Sequence, residues 1–204
     1  PIISQRIQYE RELLYNNDKL ADHPVASLRF ENQTGLTLER GPVTLVEDGD
    51  YKGEAIIPFT KDQNAVYVPY AVELGITVKE QQDYREEFRG ISIDGEFVKQ
   101  QMYVIHETIY TIDNTTKTEK VVTIEAPNEG KRFELFDTRE PDSETLNEVR
   151  WRVTCATDTT TEFTRKIRTM NWQTKELRHM QYFDLEQYLE NKFIDDALVH
   201  ELRG

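Results

Sequence analysis

The sequence predicts a mainly β fold, an antiparallel β-sandwich, on three observations. Apolar and polar residues alternate in short runs along most of the chain, the period of half-buried strands. Tight-turn signals, Asp48-Gly49 and Asp94-Gly95 among them, punctuate those runs. One pattern also occurs twice. Leu28-Arg29-Phe30-Glu31-Asn32-Gln33-Thr34 is followed by Val43-Thr44-Leu45-Val46, and Tyr110-Thr111-Ile112-Asp113-Asn114-Thr115-Thr116 by Val122-Thr123-Ile124. Each is an alternating strand, an acidic-Asn-x-Thr corner and a second β-branched strand. Asn suits the corner because its side chain bonds the backbone two residues on and tolerates positive φ. The repeat describes a framework and no chemistry.

Residues 1–25 read as an N-terminal arm or strand, with Leu13-Leu14-Tyr15 running into the turn Asn16-Asn17-Asp18, and Pro24 disfavouring helix at His23. Residues 26–90 read as a first β lobe. Its strands are Ala26–Glu31, Val43–Glu47, Tyr51–Pro58, Ala65–Tyr70 and Gly75–Glu80, with Pro58 and Pro69 at strand ends or sheet edges. The charged run 81–90 breaks the pattern and reads as a linker, a short helix or a strand crossing between lobes. A second lobe, 91–183, carries Met102–Ile112, bulky on both faces and so central, then Val121–Ala126, Lys131–Phe136, Asn147–Ala156 and Thr161–Met170. In Asn147–Ala156 the alternation turns Val149, Trp151, Val153 and Cys155 inward and Arg150, Arg152 and Thr154 outward. The tail 184–204 reads as two short helices, with Asp184 an N-cap before Leu185, Tyr188 and Leu189, and Leu198 and Leu202 on the second. The two lobes are expected to be Ig-like, and one large all-β domain is the alternative.

Composition narrows the function classes. The 204 residues hold 25 Lys plus Arg against 38 Asp plus Glu, a formal charge of −13. That argues against nucleic acid, whose affinity for proteins is largely attraction to basic surface. Ten Tyr, nine Phe and two Trp supply core area in a chain only 37% hydrophobic. No apolar run is long enough to span a membrane as a helix. Cys155 is the one cysteine, so no intrachain disulfide forms; this favours the cytoplasm and leaves the envelope open. The first residues read as the middle of a longer protein.

Chemical motifs are weak. Asn32-Gln33-Thr34 and Asn114-Thr115-Thr116 fit the N-glycosylation pattern, but a turn Asn closing a strand explains both. His23, His106, His179 and His200 lack metal-ligand spacing, and no metal or cofactor is expected. Cys155 lies on an inward strand face and reads as a small core hydrophobe rather than a nucleophile. Phosphate-binding and nucleophile-elbow motifs are absent, and acidic pairs such as Glu47-Asp48, Glu86-Glu87 and Asp195-Asp196 read as solvated surface. Tyr51, Tyr67, Tyr70, Tyr84 and Tyr103 are candidate ligand-facing aromatics for stacking on sugars, although tyrosine also suits strands intrinsically.

The run Ser27-Leu28-Arg29-Phe30-Glu31-Asn32-Gln33-Thr34-Gly35-Leu36-Thr37-Leu38-Glu39-Arg40-Gly41-Pro42-Val43-Thr44 resembles the C-terminal β domain of bacterial mucoidy-inhibitor-like proteins, a domain of unknown function. The similarity continues through Asp48–Ala55 and Pro69–Gly75 and returns at Ile112-Asp113-Asn114 and the tail. It is strong over residues 11–80 and loose afterwards. The resemblance implies a β-sandwich that follows a smaller domain and a coiled coil, and it brings no catalytic set. The expectation is therefore a non-catalytic interaction or scaffold domain of a larger bacterial protein, working with a protein partner or a second copy. Residues 1–20 are the candidate pairing arm. Alternatives are a carbohydrate-binding module of the envelope, or a hydrolase with acids from 81–90 and 137–148.

Overall fold

A computed structural model of the chain describes residues 4–180. The tail 184–204, with its two expected helices and His200, lies outside the described residues. The fold is mainly β. In chain order the strands are β1 (Tyr9–Tyr15), β2 (Val25–Glu31), β3 (Gly41–Glu47), β4 (Asp50–Ile57), β5 (Ala65–Val72), β6 (Ile76–Asp94), β7 (Phe97–Asn114), β8 (Lys120–Pro127), β9 (Glu134–Leu135), β10 (Ser143–Glu144), β11 (Glu148–Cys155) and β12 (Thr159–Glu176). Single 3₁₀ turns cover Gly130–Arg132, where the sequence suggests strand, and Leu177–His179.

Two compact units form, and they interleave. One takes 4–81, Ile109–Glu129 and Arg139–Thr164; the other takes Gln82–Thr108, Gly130–Thr138 and 165–180. This differs from successive lobes over 26–90 and 91–183. The run 81–90 is uninterrupted strand inside β6, and the division between the units falls within it, at Gln81–Gln82, so of its three readings the strand crossing between lobes is the one found. It hides as strand because residues 81–86 are exposed on both faces, which erases the apolar alternation.

In the first unit, six strands pair in the order β10-β11-β8-β1-β2-β5, and β3 pairs with β4. The expectation of a purely antiparallel sheet is corrected at one ladder. β1 runs parallel to β8, with Leu13 opposite Val122 and Tyr15 opposite Ile124, while the sheet's other ladders are antiparallel. A second correction follows. Residues 9–15 are an interior strand between β8 and β2, not a pairing arm.

One face of this sheet makes the core. Leu13, Tyr15, Val122, Ile124, Val153 and Cys155 pack with Ile76, Val78, Tyr110, Ile112 and Phe163. Further along the same face, Leu28, Phe30, Val66 and Val68 pack with Val43, Leu45, Ala55 and Ile57 of the β3–β4 hairpin. Burying each such aliphatic side chain contributes about 1.5–3 kcal/mol. Between Ser27–Pro69 and Ala26–Ala71 the register shifts, so Tyr70 is an extra, bulged residue of β5. Pro69, which has no N–H to give, thus sits beside a break in the ladder of an edge strand.

The two Asn corners are built alike. Asn32 Oδ1 accepts from the backbone N–H of Thr34 at 3.2 Å and from its hydroxyl at 2.7 Å. Asn114 Oδ1 accepts from Thr116 in the same way, at 3.0 and 2.7 Å. Each Asn amide then donates to the carbonyl four residues on, Leu36 or Thr118, which is also the longer, second acceptor within reach of the Thr hydroxyl's single proton. Both Asn residues are buried and their amide nitrogens are spent, so neither can carry a glycan in this fold.

The second unit contains the 82–94 part of β6, the 97–108 part of β7, β9 and the 165–176 part of β12. Val98, Gln100, Met102 and Val104 alternate along β7 and are buried, as are Arg165 and Ile167 on β12. Tyr103 points the other way, with the guanidinium carbons of Arg89 and Arg168 5.0 and 4.3 Å from its ring centroid.

Candidate functional site

The face of the six-stranded sheet opposite the core should, by alternation, be solvated. It is instead partly closed by a polar cluster. Arg150 and Glu125 are directly opposite in the β11–β8 ladder, where unlike charges attract across strands. Arg150 Nε and Nη2 both donate to Glu125 Oε2, at 2.8 and 2.6 Å. Lys19 Nζ and Asn16 Nδ2 donate to the other oxygen, Oε1, at 2.6 and 2.8 Å. Glu148 accepts from Arg150 at 2.9 Å and closes the cluster. Arg150 is on the outward face, as alternation predicts, but that face is covered here: its side chain is 8% exposed and that of Glu125 is 0%.

The loop after β1 makes this possible. Asn16 Oδ1 accepts the N–H of Asp18, and Asn16 O accepts those of Lys19 and Leu20, a turn that lays Lys19 over Glu125. Burial alone would raise the Glu125 pKa, but the hydrogen bonds from Lys19, Asn16 and Arg150 outweigh it and hold the carboxyl below its ordinary range. Burial pulls the Lys19 ammonium down, and its bonds to Glu125 and Glu148 more than reverse that. Both carboxylate oxygens of Glu125 are occupied, so the group is a structural anion with no free lone-pair direction for acid–base work.

Above the cluster lies an apolar groove of about 600 Å³, within the usual size of a ligand site. Leu14, Val25, Ile56, Pro58, Phe59 and Pro69 supply most of its walls, and Lys19 and Arg40 its cations. Ile56 and Phe59 are 52% and 55% exposed, large apolar groups left in water at its rim. Tyr67 stands where groove and cluster meet. Its hydroxyl accepts from Arg150 Nη1 at 2.5 Å and Arg29 Nε at 3.1 Å, and the Arg150 guanidinium lies 4.5 Å from its ring centroid.

The five candidate tyrosines are not one row. Only Tyr67 lines this groove. Tyr70, on the bulge, lines a separate cavity of about 410 Å³ with Tyr9 and Leu45. Tyr51 is exposed on β4. Tyr84 and Tyr103 belong to the second unit: Tyr84 meets His106 edge-on at 5.4 Å and donates to Glu86, while Tyr103 stacks on arginines. What sequence reasoning missed is the Glu125–Arg150–Lys19 cluster. Its one sequence signal was a Glu inside the apolar strand Val121–Ala126.

The remaining candidates are engaged elsewhere. His23 Nδ1 lies 2.7 Å from the carbonyl of Ile76, and His106 sits between Tyr84 and Phe133. Among the described residues, no three of His, Cys, Asp and Glu are placed to hold one metal ion. Cys155 is buried, and burial pushes its thiol pKa up against a weaker pull from Thr161. Of the acids in 81–90 and 137–148, Glu87 pairs with Arg85, Asp137 with Lys166, and Asp142 with Arg139 and the N–H of Arg152. No described helix is long and apolar enough to cross a membrane. No family model, no curated protein and no solved structure matches the chain.

Proposed function

We propose that the chain is a non-catalytic interaction domain of a larger bacterial protein, an Ig-like β-sandwich that binds a partner protein through the groove above Glu125 and Arg150. One observation carries this reading. The reactive groups beneath the groove are consumed by one another, and what the groove offers outward is apolar wall. A site of that kind recognises apolar side chains and leaves them unchanged. The sandwich part of the proposal draws on the two clusters that cover one face of the six-stranded sheet. The bacterial setting rests on the resemblance of residues 27–44.

A photo-crosslinking amino acid at position 59 in the intact parent protein tests it, with position 51 as an exposed control on the same hairpin. A discrete protein adduct at 59, identified by mass spectrometry and absent at 51, is the expected result. Adducts of equal yield at both positions, or none at 59, would remove the groove as the binding surface.

A further inference from the structure

The charge of the groove is opposite to that of the chain. Acids outnumber bases by 38 to 25 overall. Yet among the described residues no Asp or Glu lines the groove, while Lys19 and Arg40 do. Past Pro58, Phe59 and Tyr67 the groove continues into a second hollow of about 400 Å³ that shares those three residues. Among the described residues this extension has no acidic lining either, and it adds a third cation, Lys61. Glu125 lies beneath and is neutralised by Lys19 and Arg150. Arg40 and Lys61 are exposed, and among the described residues neither is engaged in an ion pair. Two unspent cations therefore flank an aromatic ridge whose Phe59 ring is more than half in water.

We infer that the groove's occupant is an extended peptide segment of a partner protein in which apolar side chains alternate with carboxylates. The apolar side chains would fill the hollows on either side of Phe59, and the carboxylates would meet Arg40 and Lys61. This rests on the interaction-domain reading and specifies its partner. A peptide fits better than a single-headed amphiphile because the free cations line two successive hollows rather than one point. It fits better than a nucleic-acid strand because a chain of charge −13 repels a continuous polyanion beyond the groove.

The test is a fluorescence-anisotropy titration of the 204-residue chain with three labelled decapeptides. They alternate leucine or phenylalanine with glutamate, with glutamine or with lysine. The glutamate peptide is expected to bind in the micromolar range, about tenfold tighter than the glutamine one, a preference that shrinks in 0.5 M salt. Arg40→Glu with Lys61→Glu should abolish the glutamate preference and turn it towards the lysine peptide. Phe59→Asp should abolish binding of both peptides. Equal binding of the glutamate and glutamine peptides would overturn the acidic-partner inference and leave the apolar groove standing. Binding of neither would overturn both. A preference that survives the double reversal, or displacement of the glutamate peptide by dodecanoate or oligothymidylate at lower concentration than by its unlabelled form, would also overturn the inference.

Discussion

The two Asn corners share their inner hydrogen bonds and differ in what they hold at a distance. Asn32, after β2, donates outward to the carbonyl of Thr60. Asn114, at the end of β7, donates to the carbonyls of Cys155 and Ala156, the end of β11. Both corners have further ties: at the first, Gly35 N–H donates to Asp62 Oδ1 and Asn32 N–H to Asn64 O; at the second, the Thr157 hydroxyl donates to Thr116 O, and the Thr115 N–H and hydroxyl both donate to Gly75 O. The local half of the device is written in four consecutive residues. The long-range half depends on which strand end the fold brings alongside, and that half sets how much each corner matters.

The comparison predicts unequal costs for one substitution. Asn114→Ala strands the buried carbonyl of Cys155, that of Ala156 and the Thr116 donors, and should lower stability by about 3 kcal/mol. Asn32→Ala should cost about 2 kcal/mol, because one distant carbonyl is released. Urea denaturation of both variants measures the gap, and equal losses would mean that the distant bonds contribute nothing.

Next in size is a contact at the second corner alone. A Cβ on Gly75 would stand 2.5 Å from the methyl carbon of Thr116, whereas one on Gly35 would meet nothing. Gly75→Ala should cost about 1–3 kcal/mol, and Thr116→Ser, which removes that methyl and keeps the hydroxyl, should recover most of it in the double variant. Gly35→Ala should cost about 1 kcal/mol through its φ of +71° alone, with nothing for Thr34→Ser to recover.

The smallest difference is expected where the corners are identical. Thr34→Val and Thr116→Val each remove the hydroxyl bonds to Asn and to the loop carbonyl, and should cost about 1 kcal/mol apiece. The second should be slightly larger only if its neighbours sense the change.

Acid provides a control on all of these. The Asn and Thr side chains that make the corner bonds do not ionise, so the Asn114–Asn32 difference should change less with pH than the stability itself. The wild-type stability itself should not. Glu125 has a folded pKa below its ordinary value of 4.5. Its contribution is therefore present above that value and is lost as pH falls through the depressed folded value. Glu125→Gln should flatten this acid limb. It should also lower stability at pH 7 by about 3 kcal/mol, since the buried Arg150 would keep only the partly exposed Glu148 as its anion. Denaturation between pH 7 and pH 2 checks both statements.

How much of this could be read from the residues follows the same division. The corners, the Asp48-Gly49 and Asp94-Gly95 hairpins and the inward set Trp151, Val153 and Cys155 were legible because each depends on neighbours in sequence. The outward face of Arg150 was legible and its burial was not, because alternation assigns a face without saying what covers it, and Lys19 and Glu125 are remote in sequence. The parallel pairing of β1 was invisible for a related reason: the alternation of residues 9–15 suits either direction. Strand β6 was masked where residues 81–86 are polar on both sides. Of the five tyrosines, Tyr67 reached the groove and Tyr70 did not, because residues three apart on a strand face opposite ways, and Tyr70 packs with Val66 and Val68 on the core face.

The place of β1 has a consequence for how the chain is made. Its first partner, β2, emerges from the ribosome soon after it, but the other edge, at Leu13–Tyr15, waits for Val122–Ile124. At about 5–20 residues per second, some hundred intervening residues take on the order of ten seconds. For that interval a growing sheet presents an unpaired apolar edge to everything nearby, its own duplicate on the same message included. Synthesis rate and chaperone access therefore join the stability of the finished fold in setting how much of this protein reaches its native state.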